Sequence, residues 1–317
     1  MAFANPRLPL HVLFVFIDGV GLGPESTAAN PFSRLSLPAF NTLAGGQPWT
    51  APLASQHNAR HVVRPIDACL GVDGLPQSGT GQATLFTGVN CAEAAGRHFG
   101  PYPHSTSKPI LASQNIFSGV QQLNPTLEEP AAFANAYPPP FFAHATRRNR
   151  WTVTTLSCIE AGIPIRKTDA LQAGQALTAE IRNTAWRERL GIDVPAISEE
   201  EAARRLVRLA ESHVFTLFEY YLTDKAGHSQ SMDQATDILL ILNAFFEGLI
   251  AHLNPENTLL VITSDHGNLE DLSTKSHTFN PVPLIAFGRG ASHFNSATSL
   301  MDVTPTILET LQSENRT

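Results

Sequence analysis

Four continuous apolar runs divide the chain, and each has the length of a buried β-strand. They are HVLFVFI (11–17), HVFTLFEYYL (213–222), TLLVITS (258–264) and VPLIAFG (282–288). Apolar residues at helical spacing predict helices at 199–212, 233–253 and 302–312. Because the strand runs do not alternate with polar residues, helices should cover both faces of the sheet. The pattern predicts an α/β fold, a layered α/β/α sandwich around a mostly parallel sheet.

The middle of the chain follows no single period. The segment YPPPFF (137–142) should break any regular element, and the basic cluster RRNR (147–150) follows it. A helix is expected near 170–190. We interpret 139–195 as a small cap or insertion between two parts of a catalytic core, 1–138 and 196–317. The alternative is that 139–195 adds further layers to the same domain.

Composition narrows the functional classes. The 317 residues are 43% hydrophobic and 15% charged, which suits one large globular domain or two. A net charge of -7 argues against nucleic-acid or anionic-membrane partners, which require a basic surface. An anionic substrate would need local positive charge from a metal or a few arginines. The charge alone does not indicate an oligomeric state.

Three cysteines are too few and too scattered for a disulfide framework or a thiolate zinc site, and they fit a reducing compartment. Arg7 and the apolar run after it resemble a short signal peptide, but the run ends at Asp18-Gly19 without a small-residue cleavage pattern. No stretch approaches the roughly eighteen apolar residues of a membrane span. We therefore expect a first strand here and a cytoplasmic protein.

Metal-competent side chains follow the predicted strands at corresponding ends. Open α/β sheets bind ligands outside the carboxyl ends of their strands, so these residues should meet there. Taken singly, each has an ordinary explanation as a turn or a helix cap. The residues are Asp18 after the first run, Asp224 and His228 after the second, Asp265 and His266 after the third, and His277 just before the fourth.

The spacing supports convergence on metal ions. Asp265 and His266 would point to opposite faces of a strand, so they can converge only in a turn, which Gly267 allows. Asp224 and His228 lie on one side of a helical turn. A mixed carboxylate and imidazole set suits zinc, manganese or iron rather than calcium or magnesium. Three Asp and three His exceed the needs of one catalytic ion, so two ions are expected.

A candidate nucleophile lies in GLPQSGTGQATLFTGVN (74–90). The segment is not a P-loop, because Thr80 stands where lysine would follow Gly79, and it lacks the Gly-x-Ser-x-Gly elbow. It does place a hydroxyl at the start of a helix, where the dipole favours an anion. A loop that merely caps a helix would look the same.

In this order the motifs resemble the alkaline phosphatase superfamily, and within it the metalloenzyme group of cofactor-independent phosphoglycerate mutases and phosphopentomutases. TSDHGNLED and SHTFNPVPLIAFG are similar to that group's Ser-Asp-His-Gly-Asn and His-Thr-x-Asn-Pro-Val-Pro segments. The resemblance covers about 1–90 and 214–312. The chain departs from the mutases in two ways. Gln82 replaces the mutases' histidine after Gly81, and no large insert domain of the phosphoglycerate mutase type fits between 90 and 214. Both differences weaken the inference of a mutase substrate, but not that of the metal chemistry.

The resemblance implies a two-metal phosphoryl-transfer enzyme. Two Mn²⁺ or Zn²⁺ ions would activate a serine nucleophile, Ser78, which lies at the family position three residues before Gly81. One ion would be bound by Asp18, Ser78, Asp265 and His266, and the other by Asp224, His228 and His277. Asn90, Lys225 and the arginines of 147–150 are further candidates for holding the substrate phosphate.

We expect a phosphatase or phosphodiesterase acting on a small phosphate ester. A mutase must shield its phosphoenzyme from water with a lid, and the segment 139–195 is short for that role. Phosphomutase activity is the alternative. A metal-independent Ser-His-Asp hydrolase and an inactive binding protein on the same fold are further alternatives.

Overall fold

A computed structural model describes residues 9–314 of the chain. Its strands are His11–Ile17 (β1), Gln56–His57 (β2), His61–Ile66 (β3), Ala131–Phe133 (β4), Phe215–Tyr220 (β5), Thr258–Thr263 (β6) and Val282–Gly288 (β7). Its α-helices are Pro31–Arg34 (α1), Pro38–Leu43 (α2), Ser78–Thr87 (α3), Cys91–Ala95 (α4), Ser107–Ser113 (α5), Ile116–Leu123 (α6), Pro139–Arg148 (α7), Val153–Glu160 (α8), Thr168–Gln172 (α9), Thr184–Glu188 (α10), Glu199–Glu211 (α11), Leu222–Ser229 (α12), Met232–His252 (α13) and Val303–Glu314 (α14). Short 3₁₀ turns occupy Ala291–Ser296 and Leu300–Asp302.

The strands form one sheet in the order β2-β3-β7-β6-β1-β5-β4. Strand β1 pairs in parallel with β5 and β6, and β4 pairs in parallel with β5. Strand β7 is antiparallel to both β6 and β3, and β2 is antiparallel to β3. Five of these strands therefore run in one direction, so the predicted mostly parallel sheet is confirmed.

Both faces of the sheet are buried, as continuous apolar strands require. On β1, Val12, Phe14 and Phe16 belong to one core cluster, whereas Leu13 and Val15 belong to the other. Helices α3, α6 and α14 contribute to the first cluster, and α11 and α13 contribute to the second. The predicted three-layer sandwich is confirmed.

The first apolar run forms the strand β1, as predicted, and β1 lies in the interior of the sheet between β6 and β5. Arg7 lies outside the described residues. Strand β5 is shorter than its predicted run by two residues at each end, and β6 is shorter by one residue at its carboxyl end. Strands β2 to β4 were not predicted. They are short, or interrupted by polar residues and proline, as in HVVRPI of β3.

Two expectations for the middle segment are wrong. The prolines of YPPPFF do not exclude a helix, because α7 begins at Pro139 and proline is tolerated in the first helical turn. The expected helix near 170–190 is instead two short helices, α9 and α10. Residues 173–183 separate the two helices, and Asn183, at positive φ, directly precedes α10.

The interpretation of 139–195 as a cap stays a prediction, and its packing is mixed. Val153, Cys158 and Ile163 belong to the first core cluster beneath the sheet. Leu171, Ala176, Trp186 and Val194 instead form a small separate cluster with Ala136.

Among the described helices, α13 alone is long and apolar enough to cross a membrane by length and composition. Its residues Leu239, Leu242, Phe245 and Phe246 are buried in the second core cluster. A core helix of a layered fold has the same properties.

Candidate metal centre

The carboxyl ends of three adjacent strands meet at one edge of the sheet. Asp18 follows β1, Asp224 lies in the first turn of α12 directly after β5, and Asp265 follows β6. Strand β6 ends at Thr263, so Asp265 and His266 lie in a turn and can converge, as the sequence predicted. Helix α3 presents its first residue, Ser78, to the same edge.

One group of side chains surrounds a single imidazole nitrogen. Nε2 of His266 lies 3.0 Å from Oγ of Ser78 and 3.3 Å from Oδ1 of Asp18. Oδ2 of Asp265 lies 3.5 Å from the same nitrogen. His266 and Asp265 are fully buried. Three oxygens and one nitrogen therefore face a common point.

A second group lies beside the first. Nε2 of His228 is 3.3 Å from Oδ2 of Asp224 and 3.3 Å from Nε2 of His277. Nε2 of His277 is 3.6 Å from Oδ1 of Asp224. The rings of His266 and His277 stack with centroids 3.8 Å apart, which joins the two groups. His228 is the most exposed member, with 45% of its side chain accessible.

Backbone carbonyls fix the orientation of both imidazoles in the second group. Nδ1 of His277 lies 2.7 Å from the carbonyl oxygen of Pro76, and Nδ1 of His228 lies 2.8 Å from that of Lys275. A carbonyl only accepts, so each Nδ1 donates and each neutral ring presents a lone pair at Nε2. Two lone pairs 3.3 Å apart repel each other unless a cation lies between them.

The negative charge of the buried carboxylates also suits a bound cation. Oδ1 of Asp18 and Oδ2 of Asp265 are buried without a hydrogen-bond partner, which is costly for carboxylates. Burial raises the pKa of Asp18 well above its ordinary value, and the charge of Asp265 raises it further. Burial raises the pKa of Asp265 in the same way. The centre therefore requires positive charge.

In the chain alone, a proton on His266 supplies that charge. Burial opposes the charged ring, but the carboxylates of Asp265 and Asp18 outweigh it and raise the pKa of His266 to about 10. Burial and then the positive charge of His266 lower the pKa of His277 to about 4. The two stacked rings thus carry different charges at neutral pH.

The seven side chains predicted from the sequence all meet at this edge. The ligating atoms of Asp18, Asp265 and His266 lie within 4.8 Å of one another, and so do those of Asp224, His266 and His277. His266 thus lies between the two groups rather than in one of them alone. Their role as ligands stays a prediction.

A buried carboxylate that the sequence analysis missed organises the loop around the centre. Oε2 of Glu270 accepts hydrogen bonds from the backbone N–H groups of Gly21 and Asn268, both at 2.8 Å. Its Oε1 accepts from the hydroxyl of Thr278 and from the amide of Asn280. Glu270 therefore ties the loop after β1 to the loop that carries His277.

Gly267 is required for close approach rather than for its backbone conformation. A Cβ at this position would collide with the side chains of Glu270 and Thr278. The glycine therefore allows the loop to close on Glu270. The sequence pattern points to this glycine for a different reason, the tight turn.

We expect Glu270→Ala to lower the free energy of unfolding by about 3 kcal/mol or more, because buried donors lose a charged acceptor. Urea unfolding of the metal-free protein measures this. Glu247→Ala on α13, which removes an exposed carboxylate, should change stability by less than about 0.5 kcal/mol. Equal unfolding midpoints for Glu270→Ala and the parent chain would contradict the structural role.

Two further polar residues at the centre were not predicted as parts of it. Nε2 of Gln82 donates to Oδ2 of Asp18 at 3.2 Å, so this residue orients a candidate ligand. Glu219 of β5 is buried and accepts hydrogen bonds from Tyr137 and Thr154. Burial raises its pKa to about 7. The sequence does show a glutamate inside the apolar run 213–222, and a charged residue in a buried strand was the signal that could have identified Glu219 as a functional candidate.

Structural partners engage three other polar side chains near the centre, and a fourth, Lys225, lines a cavity. The Asn90 side chain caps α4 and donates to the carbonyl of Leu70, so it is committed to the fold. The hydroxyl of Thr80 accepts from the N–H of Phe99 and is buried. Arg150 lies over the ring of Tyr102. Lys225 lines a cavity of about 350 Å³ beside Ser78.

Known proteins share the sequence pattern and the fold of this chain. A family model described as the Metalloenzyme superfamily matches residues 145–315, more than half of the chain. A 2,3-bisphosphoglycerate-independent phosphoglycerate mutase of Antithamnion sp. is 29% identical over 128 residues, which is 37% of this chain and 25% of the mutase. That of Metamycoplasma hominis is 32% identical over 128 residues, 38% of this chain and 25% of the mutase. The matches thus span about a quarter of these relatives.

Two solved structures are similar over nearly the whole chain. A protein from Pyrococcus horikoshii has a TM-score of 0.56 at 14% identity, covering 96% of this chain and 97% of that chain. The alkaline phosphatase from the Antarctic bacterium TAB5 has a TM-score of 0.54 at 12% identity, covering 96% and 99%. At such identities the similarity establishes a common fold, which is alkaline-phosphatase-like.

Proposed function

The chain belongs to the Metalloenzyme superfamily, and on that premise we propose that it is a metal-dependent phosphoryl-transfer enzyme that hydrolyses a small phosphate ester. The family description supports the use of a metal. The curated mutases and the alkaline phosphatase with the same fold support phosphoryl transfer. Ser78 is proposed as the nucleophile.

The observation that carries this proposal is the set of atoms around Nε2 of His266. In a Ser-His-Asp triad the serine and the carboxylate contact opposite nitrogens of the imidazole. Here Ser78, Asp18 and Asp265 all face the same nitrogen, while Nδ1 lies 3.4 Å from the carbonyl of Gly267. That arrangement suits shared coordination of a cation and not proton relay to a carboxylate.

We propose that Asp18, Ser78, Asp265 and His266 bind one divalent ion and that Asp224, His228 and His277 bind a second. Carboxylates with imidazoles favour Mn²⁺ or Zn²⁺. When bound, such ions lower the pKa of a coordinated hydroxyl and stabilise the charge on the phosphoryl group during its transfer. The side chain of Asn268 donates to Oδ1 of Asp224 at 2.6 Å and would hold that ligand in place.

The chain's own groups define the chemical steps. Ser78 begins α3, so the positive end of the helix dipole favours the phosphate anion beside it. Oγ of Ser78 would form a bond to phosphorus as the ester bond breaks and the alcohol leaves. Water would then cleave the phosphoserine, releasing inorganic phosphate and restoring the hydroxyl.

Turnover in oxygen-18 water distinguishes hydrolysis from phosphate transfer within the substrate. We expect metal-supplemented protein to release inorganic phosphate carrying the label from p-nitrophenyl phosphate or a natural monoester, because Gln82 and the short middle segment favour water as the acceptor. Mass spectrometry of the phosphate measures this.

Protein stripped by a chelator is the control for the metal, and it should lose turnover that added Mn²⁺ or Zn²⁺ restores. Activity that survives chelation would favour the metal-independent serine hydrolase. Isomerisation of phosphoglycerate or a pentose phosphate without free phosphate would identify a mutase.

A further inference from the structure

The cavity beside Ser78 adjoins a larger one. The first, here the inner chamber, has a volume of about 350 Å³ and is lined by Asp18, Ser78 and Asp224. The second, here the outer chamber, has a volume of about 720 Å³ and lies between α10, α12 and the start of α13. Both are lined by Tyr137, Pro138, Tyr221 and Lys225. The two chambers therefore adjoin at these four residues.

The outer chamber presents apolar and aromatic surface to a ligand. Trp186 and Ile238 line it, and so do Leu190, which is 45% exposed, and Tyr221, which is 36% exposed. Large apolar side chains with such exposure are few in the described chain, so two of them in one cavity suggest a ligand that covers them.

The polar groups of the outer chamber fall into two classes. Glu180 and Asn135 are engaged, since Glu180 accepts from the backbone of α10 and Asn135 bonds the backbone of Glu219. The side chains of Gln234, Asp237 and Arg189 make no hydrogen bond or ion pair within residues 9–314. They offer donors and acceptors beside an apolar wall.

Size argues for a substrate larger than a three-carbon phosphate ester. Ligand pockets commonly range over about 300–1,000 Å³, and the inner chamber is at the small end of that range. The outer chamber adds about twice its volume. Lys225 lines both chambers and places a positive charge where they adjoin.

We propose that the outer chamber binds the leaving group of the substrate, and that this group is an aromatic, ring-bearing alcohol of nucleoside size. The inference rests on the proposed phosphoester hydrolysis. Flat rings would pack against Tyr221 and Leu190, while ring nitrogens and hydroxyls would bond Gln234 and Asp237. A phosphoglycerate would leave the outer chamber without contacts.

Two substrates that differ only by the aromatic base test this. Adenosine 5′-monophosphate and ribose 5-phosphate carry the same ester, and the metal-loaded enzyme should prefer the former in kcat/KM by at least about tenfold. Leu190→Ala and Asp237→Ala should bring that ratio toward one, whereas a general loss of structure would lower both values together. Leu240→Ala is the matched control, because Leu240 is exposed on α13 outside the chamber and should leave the ratio unchanged.

The outcomes separate the two proposals. Hydrolysis of both esters at similar kcat/KM, or a ratio that Leu190→Ala and Asp237→Ala leave intact, would overturn the chamber assignment alone. If p-nitrophenyl phosphate and both esters are inert with metals present, the proposed function is wrong. Calorimetry with adenosine then tests whether the outer chamber binds an aromatic group of nucleoside size. Saturable binding that Leu190→Ala weakens would support this assignment, and the absence of binding would overturn it.

Discussion

Replacing Ser78 with alanine is expected to lower kcat by at least about a thousandfold while leaving the fold intact, because a nucleophile has no substitute in the same site. Its hydroxyl bonds only to His266 among the described residues, so its loss removes little of the packing around α3. Steady-state kinetics with metal-loaded protein and circular dichroism measure the two effects. Acid-quenched parent enzyme should carry phosphate on Ser78 in peptide mapping.

Thr80→Val is the control for this prediction. It removes the neighbouring hydroxyl at nearly constant volume, and that hydroxyl is bonded to the backbone of Phe99 rather than directed at the centre. We expect it to lower stability modestly and to retain turnover. Phosphate mapped to Thr80, with an active Ser78→Ala variant, would move the nucleophile by two positions.

Asp265→Asn is expected to abolish metal-induced stabilisation and to reduce turnover by at least about a hundredfold. The metal-free variant should nonetheless be more stable than the metal-free parent, on the order of 1 kcal/mol, because a buried carboxylate beside Asp18 is removed. Thermal unfolding with and without Mn²⁺ or Zn²⁺ measures both effects, and elemental analysis should give two ions per parent chain.

Asp271→Asn lies in the same loop and serves as the matched control. Oδ1 of Asp271 accepts hydrogen bonds from Ser273, away from the centre, so this variant should bind metal as the parent does. Loss of metal binding in both variants would indicate general disruption of the loop. An Asp265→Asn protein with full metal content and full turnover would contradict the assignment.

Much of the sheet and the positions of the candidate ligands could be predicted because they depend on local pattern. An apolar run needs no partner to be recognised, and β1 and β7 occupy the predicted residues. Ligands at the ends of such runs follow from the geometry of a parallel sheet. The separation of Asp224 from His228 by one helical turn is also local, and α12 confirms it.

The parts that could not be predicted depend on partners distant in sequence. Glu219 is stabilised by hydroxyls 82 and 65 residues away, at Tyr137 and Thr154. Gln82 reaches Asp18 across 64 residues. Nothing near these residues in the sequence reveals such contacts. The short helices of the middle segment could not be predicted for the same reason. The hydrophobic periodicity is interrupted there, and tertiary packing decides which short helices form.

The interior position of β1 in the sheet has a consequence for synthesis of the protein. The side chain of His11, at its start, bonds a carbonyl 202 residues further along the chain, and β5 and β6 flank the strand on either side. At about 5–20 residues per second, β1 must wait roughly 10 to 40 seconds on the ribosome for its first partner. During that interval a strongly apolar segment is without its sheet, so the nascent chain should depend on chaperones. The candidate metal centre cannot assemble until His277 has been synthesised.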